Sequence, residues 1–191
     1  DYTATAEFAD ADAGMGKTAT VSVTLKNGNY KLSDSTYQLP GQTIAKADST
    51  LTAAPAPVEE LVYNGQDQAL VTAGEAVGGT MVYSLTENGT YTETIPAGTE
   101  ARTYTVWYKV AGDANHSDTI PASVEVRINP LPVELTWGDT AFTYDGNENS
   151  VTATVTNAVD GDDVVLSYEN NPAIKVGNYT AKVTALDNGN Y

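Results

Sequence analysis

The only histidine of the chain, His116, lies in the run Asn115-His-Ser-Asp118, where a base, a hydroxyl and a carboxylate stand side by side. A triad needs those groups to converge, with the base oriented by a third partner, and three adjacent residues do not converge merely by being neighbours. Paired carboxylates occur at Glu59-Glu60 and Asp162-Asp163. Glycoside hydrolysis requires two carboxyls facing each other across a cleft, which adjacency does not supply. Three acidic clusters, Asp10-Ala-Asp12, Asp160-Gly-Asp-Asp163 and Asp113 with Asp118, have the oxygen ligands that calcium prefers. None has the spacing of a complete calcium loop, which ends on a distant glutamate. The chain has no cysteine, which excludes disulfides, thiolate metal sites and cysteine nucleophiles. The expectation is a chain with no catalytic residue, no cofactor and no metal ligand set.

Two residues stand out as contacts rather than catalysts. In Thr103-Tyr-Thr-Val-Trp-Tyr-Lys-Val110, the apolar phase runs through Tyr104, Val106, Tyr108 and Val110. Strand alternation then turns Trp107 and Lys109 to the opposite face. There Trp107 is a candidate for stacking on a sugar ring or seating a neighbouring module. Lys109 is also the only lysine between residues 49 and 129. Its outward placement argues against an intramolecular lysine–asparagine isopeptide staple. Trp137, in phase with Val133 and Leu135, is expected in a core.

The elements that must position these residues are strands. Helical spacing is nearly absent, whereas apolar residues alternate with Thr, Ser and charged residues throughout. Such runs are Tyr2–Phe8, Ala19–Leu25, Met81–Leu85, Tyr104–Val110, Val124–Ile128, Val133–Trp137, Val151–Val155 and Tyr179–Ala185. Asn-Gly, Asp-Gly and Gly-Gly pairs between them supply tight turns. The pattern predicts an all-β chain of antiparallel sandwiches with half-buried strands.

Three strands run into a similar corner, at Asn27-Gly-Asn-Tyr30, Asp113-Ala-Asn-His116 and Asn188-Gly-Asn-Tyr191. Repetition at this scale indicates an array of like modules. Proline-bearing stretches at 45–60 and 129–132 mark the joints. The predicted organisation is 1–48, the C-terminal half of a module; 49–129, a complete module; and 130–191, a module lacking its last strand. Matching the first corner strand to the third requires one extra residue in the third. A sandwich without its final strand leaves an open edge, so edge-strand self-association is expected.

Tyr144-Asp-Gly146, Asp160-Gly-Asp-Asp-Val-Val-Leu166, Gly177-Asn-Tyr-Thr-Ala181 and Asn188-Gly-Asn-Tyr191 resemble the YDG/MBG repeats of large bacterial surface proteins. Residues 1–47, with Ala13-Gly-Met-Gly-Lys-Thr18 and Gly28-Asn-Tyr30, are similar to the rear half of that repeat. The middle segment, with Leu61-Val-Tyr-Asn-Gly65 and Val106–His116, resembles a sister repeat, with Asn64 where the motif has aspartate. The resemblance implies tandem immunoglobulin-like β-sandwich modules in extracellular adhesins, with no catalytic residues to carry over.

Charge narrows the partners. Nine Lys and Arg face 25 Asp and Glu, a net charge of −16. Such a surface repels nucleic acid and anionic membranes. No run of about 18 apolar residues occurs, so no helical span is expected, and no signal-peptide start is present. The expected role is a stalk or spacer of a surface or secreted protein. The alternatives are a module binding host glycan or protein, and an accessory domain of a secreted polysaccharide-degrading enzyme.

Overall fold

The computed structural model describes residues 1–191 and contains no α-helix, so no helix is long and apolar enough to cross a membrane. Its strands are β1 (Tyr2–Phe8), β2 (Gly14–Leu25), β3 (Thr36–Ile44), β4 (Ala47–Asp48), β5 (Thr50–Ala53), β6 (Gln68–Ala69), β7 (Glu75–Val77) and β8 (Gly79–Ser84). They continue as β9 (Ala97–Gly98), β10 (Thr103–Gly112), β11 (His116–Ser117), β12 (Ala122–Arg127), β13 (Leu135–Trp137), β14 (Ala153–Val155), β15 (Leu166–Glu169) and β16 (Lys182–Leu186). The chain is all-β, with mostly antiparallel pairing. It divides into two compact units: Asp1–Ala56, Ala73–Thr94 and Trp107–Ser123 form the first, and Pro57–Thr72, Ile95–Val106 and Val124–Tyr191 the second.

In the first unit, β1, β2 and β3 form an antiparallel sheet in that order. Residues opposed across antiparallel strands share a face. The rows Ala4–Val23, Ala6–Val21–Tyr37 and Phe8–Ala19–Leu39 therefore make one face apolar. The rows Thr3–Thr24, Thr5–Ser22–Thr36 and Glu7–Thr20–Gln38 make the other polar. Binary patterning is complete here, yet only Ala19 is buried, and Tyr2, Phe8, Tyr37 and Leu39 remain exposed.

Burial in the first unit concentrates instead on β8 and the end of β10, paired from Trp107–Ser84 to Gly112–Gly79. Met81, Val82, Tyr83 and Ser84 are all buried, so β8 is covered on both faces and does not alternate. Tyr83 is tied down by the Gly74 amide, which donates to its hydroxyl at 2.9 Å. The predicted inward phase fails at Leu85, which is exposed because β8 ends at Ser84 and the chain turns away, with the Thr86 amide donating to the Ser84 hydroxyl. The strand pair β4–β11 is parallel.

In the second unit the interior is built from Leu70, Val71, Val106 and Ile128, with Tyr63, Tyr104 and Val126 around them. The predicted inward phase of Val124, Val126 and Ile128 is observed, rising from half-buried to wholly buried along the strand. Further along, β13 pairs with β14 and β15 with β16. The Ala153 amide donates to the Tyr168 hydroxyl at 2.9 Å, joining β14 to β15. Trp137, in phase with Val133 and Leu135, departs from its expected core position and is 38% exposed. β13 pairs on one side only, with β14, and the indole packs edge-on against Tyr168 at 6.2 Å. The slip expected in the third corner strand has a physical counterpart. Ser167 opposes Ala185 while Tyr168 opposes Val183, so Thr184 is an extra residue on β16. This bulge turns Leu186, not Ala185, toward the interior.

Ile128 is wholly buried, whereas Ile120 is 89% exposed. Replacing Ile128 with alanine is expected to cost about 2–5 kcal/mol in chemical denaturation. The same change at Ile120 should stay within about 0.5 kcal/mol.

Candidate functional site

Two of the three similar corners in the sequence, those ending at His116 and Tyr191, are places where distant parts of a unit are fastened. Two of them begin with the same tyrosine lock. The Tyr104 hydroxyl donates to the Glu100 carbonyl and the Tyr179 hydroxyl to the Lys175 carbonyl, each at 3.0 Å. All three end in the same Asx turn, in which an amide donates to a side-chain oxygen two residues back. These are Asn29 to Asn27 (2.9 Å), Asn115 to Asp113 (2.8 Å) and Asn190 to Asn188 (3.0 Å).

In the first unit Asn115 uses every polar group it has left. Its Oδ1 accepts from the Ala13 amide at 2.7 Å, and its Nδ2 donates to Asp12 Oδ1 at 3.0 Å. Its carbonyl accepts from the Ala47 amide at 2.9 Å. In the second unit Asn190 repeats the arrangement. Its Oδ1 accepts from the Ala101 amide at 2.8 Å, its Nδ2 donates to Glu100 Oε2 at 2.7 Å, and its carbonyl accepts from the Leu131 amide at 2.8 Å. Each asparagine thus clamps an acid–alanine lip and the backbone that follows a third sheet strand, β3 or β12. Two independent clamps with one bonding pattern are the most specific feature of the molecule.

The residue after each asparagine adds a different reinforcement. His116 Nδ1 lies 2.7 Å from Asp113 Oδ1, and the Lys46 ammonium donates to the carbonyls of Asp113 and His116. The His116 hydrogen bond, with the Asn115 amide, holds the Asp113 carboxyl below the usual carboxylate range. In the second unit Tyr191 and Tyr63 both donate to Asp162 Oδ2, at 2.6 and 2.7 Å. Their rings meet edge to face at 5.6 Å, and the Val159 amide donates to the Tyr191 hydroxyl. The two phenols, Tyr191 first, hold Asp162 below its ordinary range. The bond to that carboxylate, followed by burial, pushes Tyr63 from 10.0 up to about 12. Burial and the same carboxylate raise Tyr191. Gly65 completes the setting: it has φ +73°, and a Cβ there would lie 2.5 Å from Val159.

The residues singled out from the sequence lie elsewhere or play other parts. Trp107 is half-buried beside Ser84, and Lys109 is paired with Asp118 at 2.7 Å and lies over Tyr91. That ion pair holds Asp118 below its ordinary range. His116 and Asp118 do not converge with Ser117 as a triad: His116 turns to Asp113 and Asp118 to Lys109. Asp10 is engaged by Lys17, Asp12 by the Asn115 clamp, and Asp162 by the phenols of Tyr63 and Tyr191. No three acidic or histidine side chains gather at one point. Asn64 and Asp145 form the same Asx turn, to Gln66 and Asn147 at 2.9 Å each, so the asparagine in the middle segment's motif serves as the aspartate does. The only sequence signal for the clamp residues Asn115 and Asn190 is the recurrence of asparagine at the penultimate corner position, three times along the chain. No family model, curated protein or solved structure matches this chain.

The Tyr–Asp–Tyr cluster has a defined pH window. The depressed carboxyl adds stability above the ordinary carboxylate range and loses it as pH falls through its folded value. The raised phenol of Tyr63 adds stability below pH 10.0 and loses it as pH rises toward about 12. Replacing Asp162 with asparagine should move one tyrosine's ionisation from about 12 back toward 10.0, read by phenolate absorbance. An unchanged titration would show that the carboxylate does not set it.

Proposed function

We propose that the chain is a non-catalytic run of tandem immunoglobulin-like modules that serves as a stalk or spacer in an extracellular bacterial surface protein of the adhesin type. The observation that carries this reading is the repetition of the asparagine clamp. On the module boundaries read from the sequence, Asn115 belongs to the middle module and holds the first, while Asn190 belongs to the third and holds the middle one. The same bonds recur at both joints, as they would in a repeat array whose stability is a sum of units and nearest-neighbour interfaces. The acidic surface suits a solvated extracellular spacer and does not suit nucleic acid.

Such a joint resists opening because several hydrogen bonds must break together. Single-molecule pulling from the two ends should show the weakest resistance at the joints, and Asn115→Ala or Asn190→Ala should lower the first rupture force. Each substitution is also expected to cost about 1–3 kcal/mol, since it strips the partners of a carboxylate and a backbone amide. Unchanged force and stability in both variants would sink the reading. The competing binding-module reading rests on the Trp107 face. It requires saturable binding on glycan or host-protein arrays that is lost in Trp107→Ala, whereas a stalk shows none.

A further inference from the structure

Of the chain's 12 tyrosines, Tyr63 and Tyr191 are the only two whose rings meet, with centroids 5.6 Å apart. Tyr83 and Tyr108 stand opposite each other on β8 and β10, yet their rings make no such contact. The Tyr63–Tyr191 pair is also gathered at its hydroxyl ends. Both hydroxyls donate to one carboxylate oxygen, Asp162 Oδ2, at 2.7 and 2.6 Å, which draws the ring carbons beside them together. The Val159 amide holds the Tyr191 hydroxyl at 2.8 Å, and Val159 itself lies against Gly65. Tyr63 is buried and Tyr191 half-buried, so the pair is shielded but reachable through one ring.

This arrangement meets the needs of oxidative coupling between two phenols. A phenol gives up an electron most readily when its proton can leave along a hydrogen bond to a base. Here one carboxylate faces both phenols. The phenoxyl radical that results carries part of its unpaired electron on the two ring carbons next to the oxygen. Two such radicals already in contact join at those carbons far faster than radicals that must first meet by diffusion.

We propose that Tyr63 and Tyr191 become joined by a carbon–carbon bond when a haem peroxidase and hydrogen peroxide oxidise the protein. Each phenol loses one electron to the peroxidase and one proton to Asp162, which is half-buried and passes it to water. A bond then forms between one Cε carbon of each ring. The hydrogens on those two carbons move to the oxygens and restore both hydroxyls. The net change is one C–C bond made and two C–H bonds broken, while one hydrogen peroxide becomes two waters. In a chain without cysteine, this fastens the second-unit corner covalently with no disulfide. The first-unit corner has His116 in the place of Tyr191 and stays non-covalent. What the link does for an array under tension rests on the spacer reading; whether it forms does not.

The test treats the intact chain, in dilute solution, with a haem peroxidase and hydrogen peroxide. Monomer recovered by gel filtration should show the blue fluorescence of a linked bisphenol and a mass lower by two hydrogen atoms. Trypsin leaves Tyr191 in the peptide 183–191, which has no other tyrosine, and that peptide should be joined to 47–102 through Tyr63. Tyr63→Phe and Tyr191→Phe should each cut the linked monomer by about tenfold or more, and Tyr108→Phe should leave it unchanged. Asp162→Asn keeps a hydrogen-bond acceptor but takes no proton, so it should slow coupling by about tenfold or more. Monomer that stays unlinked while exposed tyrosines join separate chains would overturn the proposal. So would a link that persists in Tyr191→Phe or maps to other tyrosines. An unchanged rate in Asp162→Asn would overturn the part given to the carboxylate.

Discussion

The asparagine clamp is the interaction on which the rest of the arrangement depends. A primary amide is the one short side chain that can donate and accept through a rigid planar group. At Asn115 and Asn190 the amide oxygen takes a backbone N–H while the amide nitrogen gives to a carboxylate one residue earlier. Aspartate in that place could not donate and would set two carboxylates together, and leucine would leave both partners unpaired. The Asx turn preceding each clamp fixes the direction from which the amide arrives. Local turn chemistry and long-range attachment are therefore the same few atoms.

Around this common element the two units use different chemistry for the same purpose. One adds a histidine–aspartate contact and a lysine that spans two carbonyls. The other adds a carboxylate shared by two phenols, packed against an aromatic edge. The second is the more water-excluding of the two: Tyr63 is only 5% exposed. A carboxylate that receives two hydroxyl donors is well satisfied without a cation. This is useful in a chain with few of them. The scarcity of Lys and Arg does not leave the acidic residues idle; many are acceptors for amides and phenols.

Much of the secondary structure was legible because it rests on side-chain periodicity. Tyr2–Phe8 is a strand with the predicted face, Val124, Val126 and Ile128 turn inward, and the slip before Tyr191 is the bulge at Thr184. Periodicity failed where tertiary surroundings override it, as on β8, where neighbouring Met81 and Val82 are both buried. It failed for Trp137 because in-phase residues still need a second layer above them. Two-residue strands such as β4, β6, β9 and β11 are too short to carry any pattern. The clamps were invisible for a different reason: four of their six partners are backbone amides, of Ala13, Ala47, Ala101 and Leu131, and a backbone amide leaves no residue-type signature. Only the recurrence of asparagine itself could have pointed to them.

The distribution of burial explains why attachment matters so much here. The buried hydrophobic residues lie almost entirely between Tyr63 and Ile128, and the β1–β2–β3 sheet contributes Ala19 alone. That sheet has complete binary patterning but little apolar area removed from water, and burial of apolar area is the main source of folding free energy. Hydrogen bonds within a three-stranded sheet do not replace it, because the unfolded chain makes equivalent bonds to water. The order of such a sheet must therefore be drawn from better-packed residues through the contacts that join it to them. Within the first unit those contacts are the Asn115 clamp, the β4–β11 pair and the Lys46 bridge. They attach the sheet to the segment that carries Met81, Tyr83 and Val110. A small set of directional bonds, placed at a corner by turn chemistry, thus extends the stability of the better-packed strands into a sheet that buries too little to hold itself.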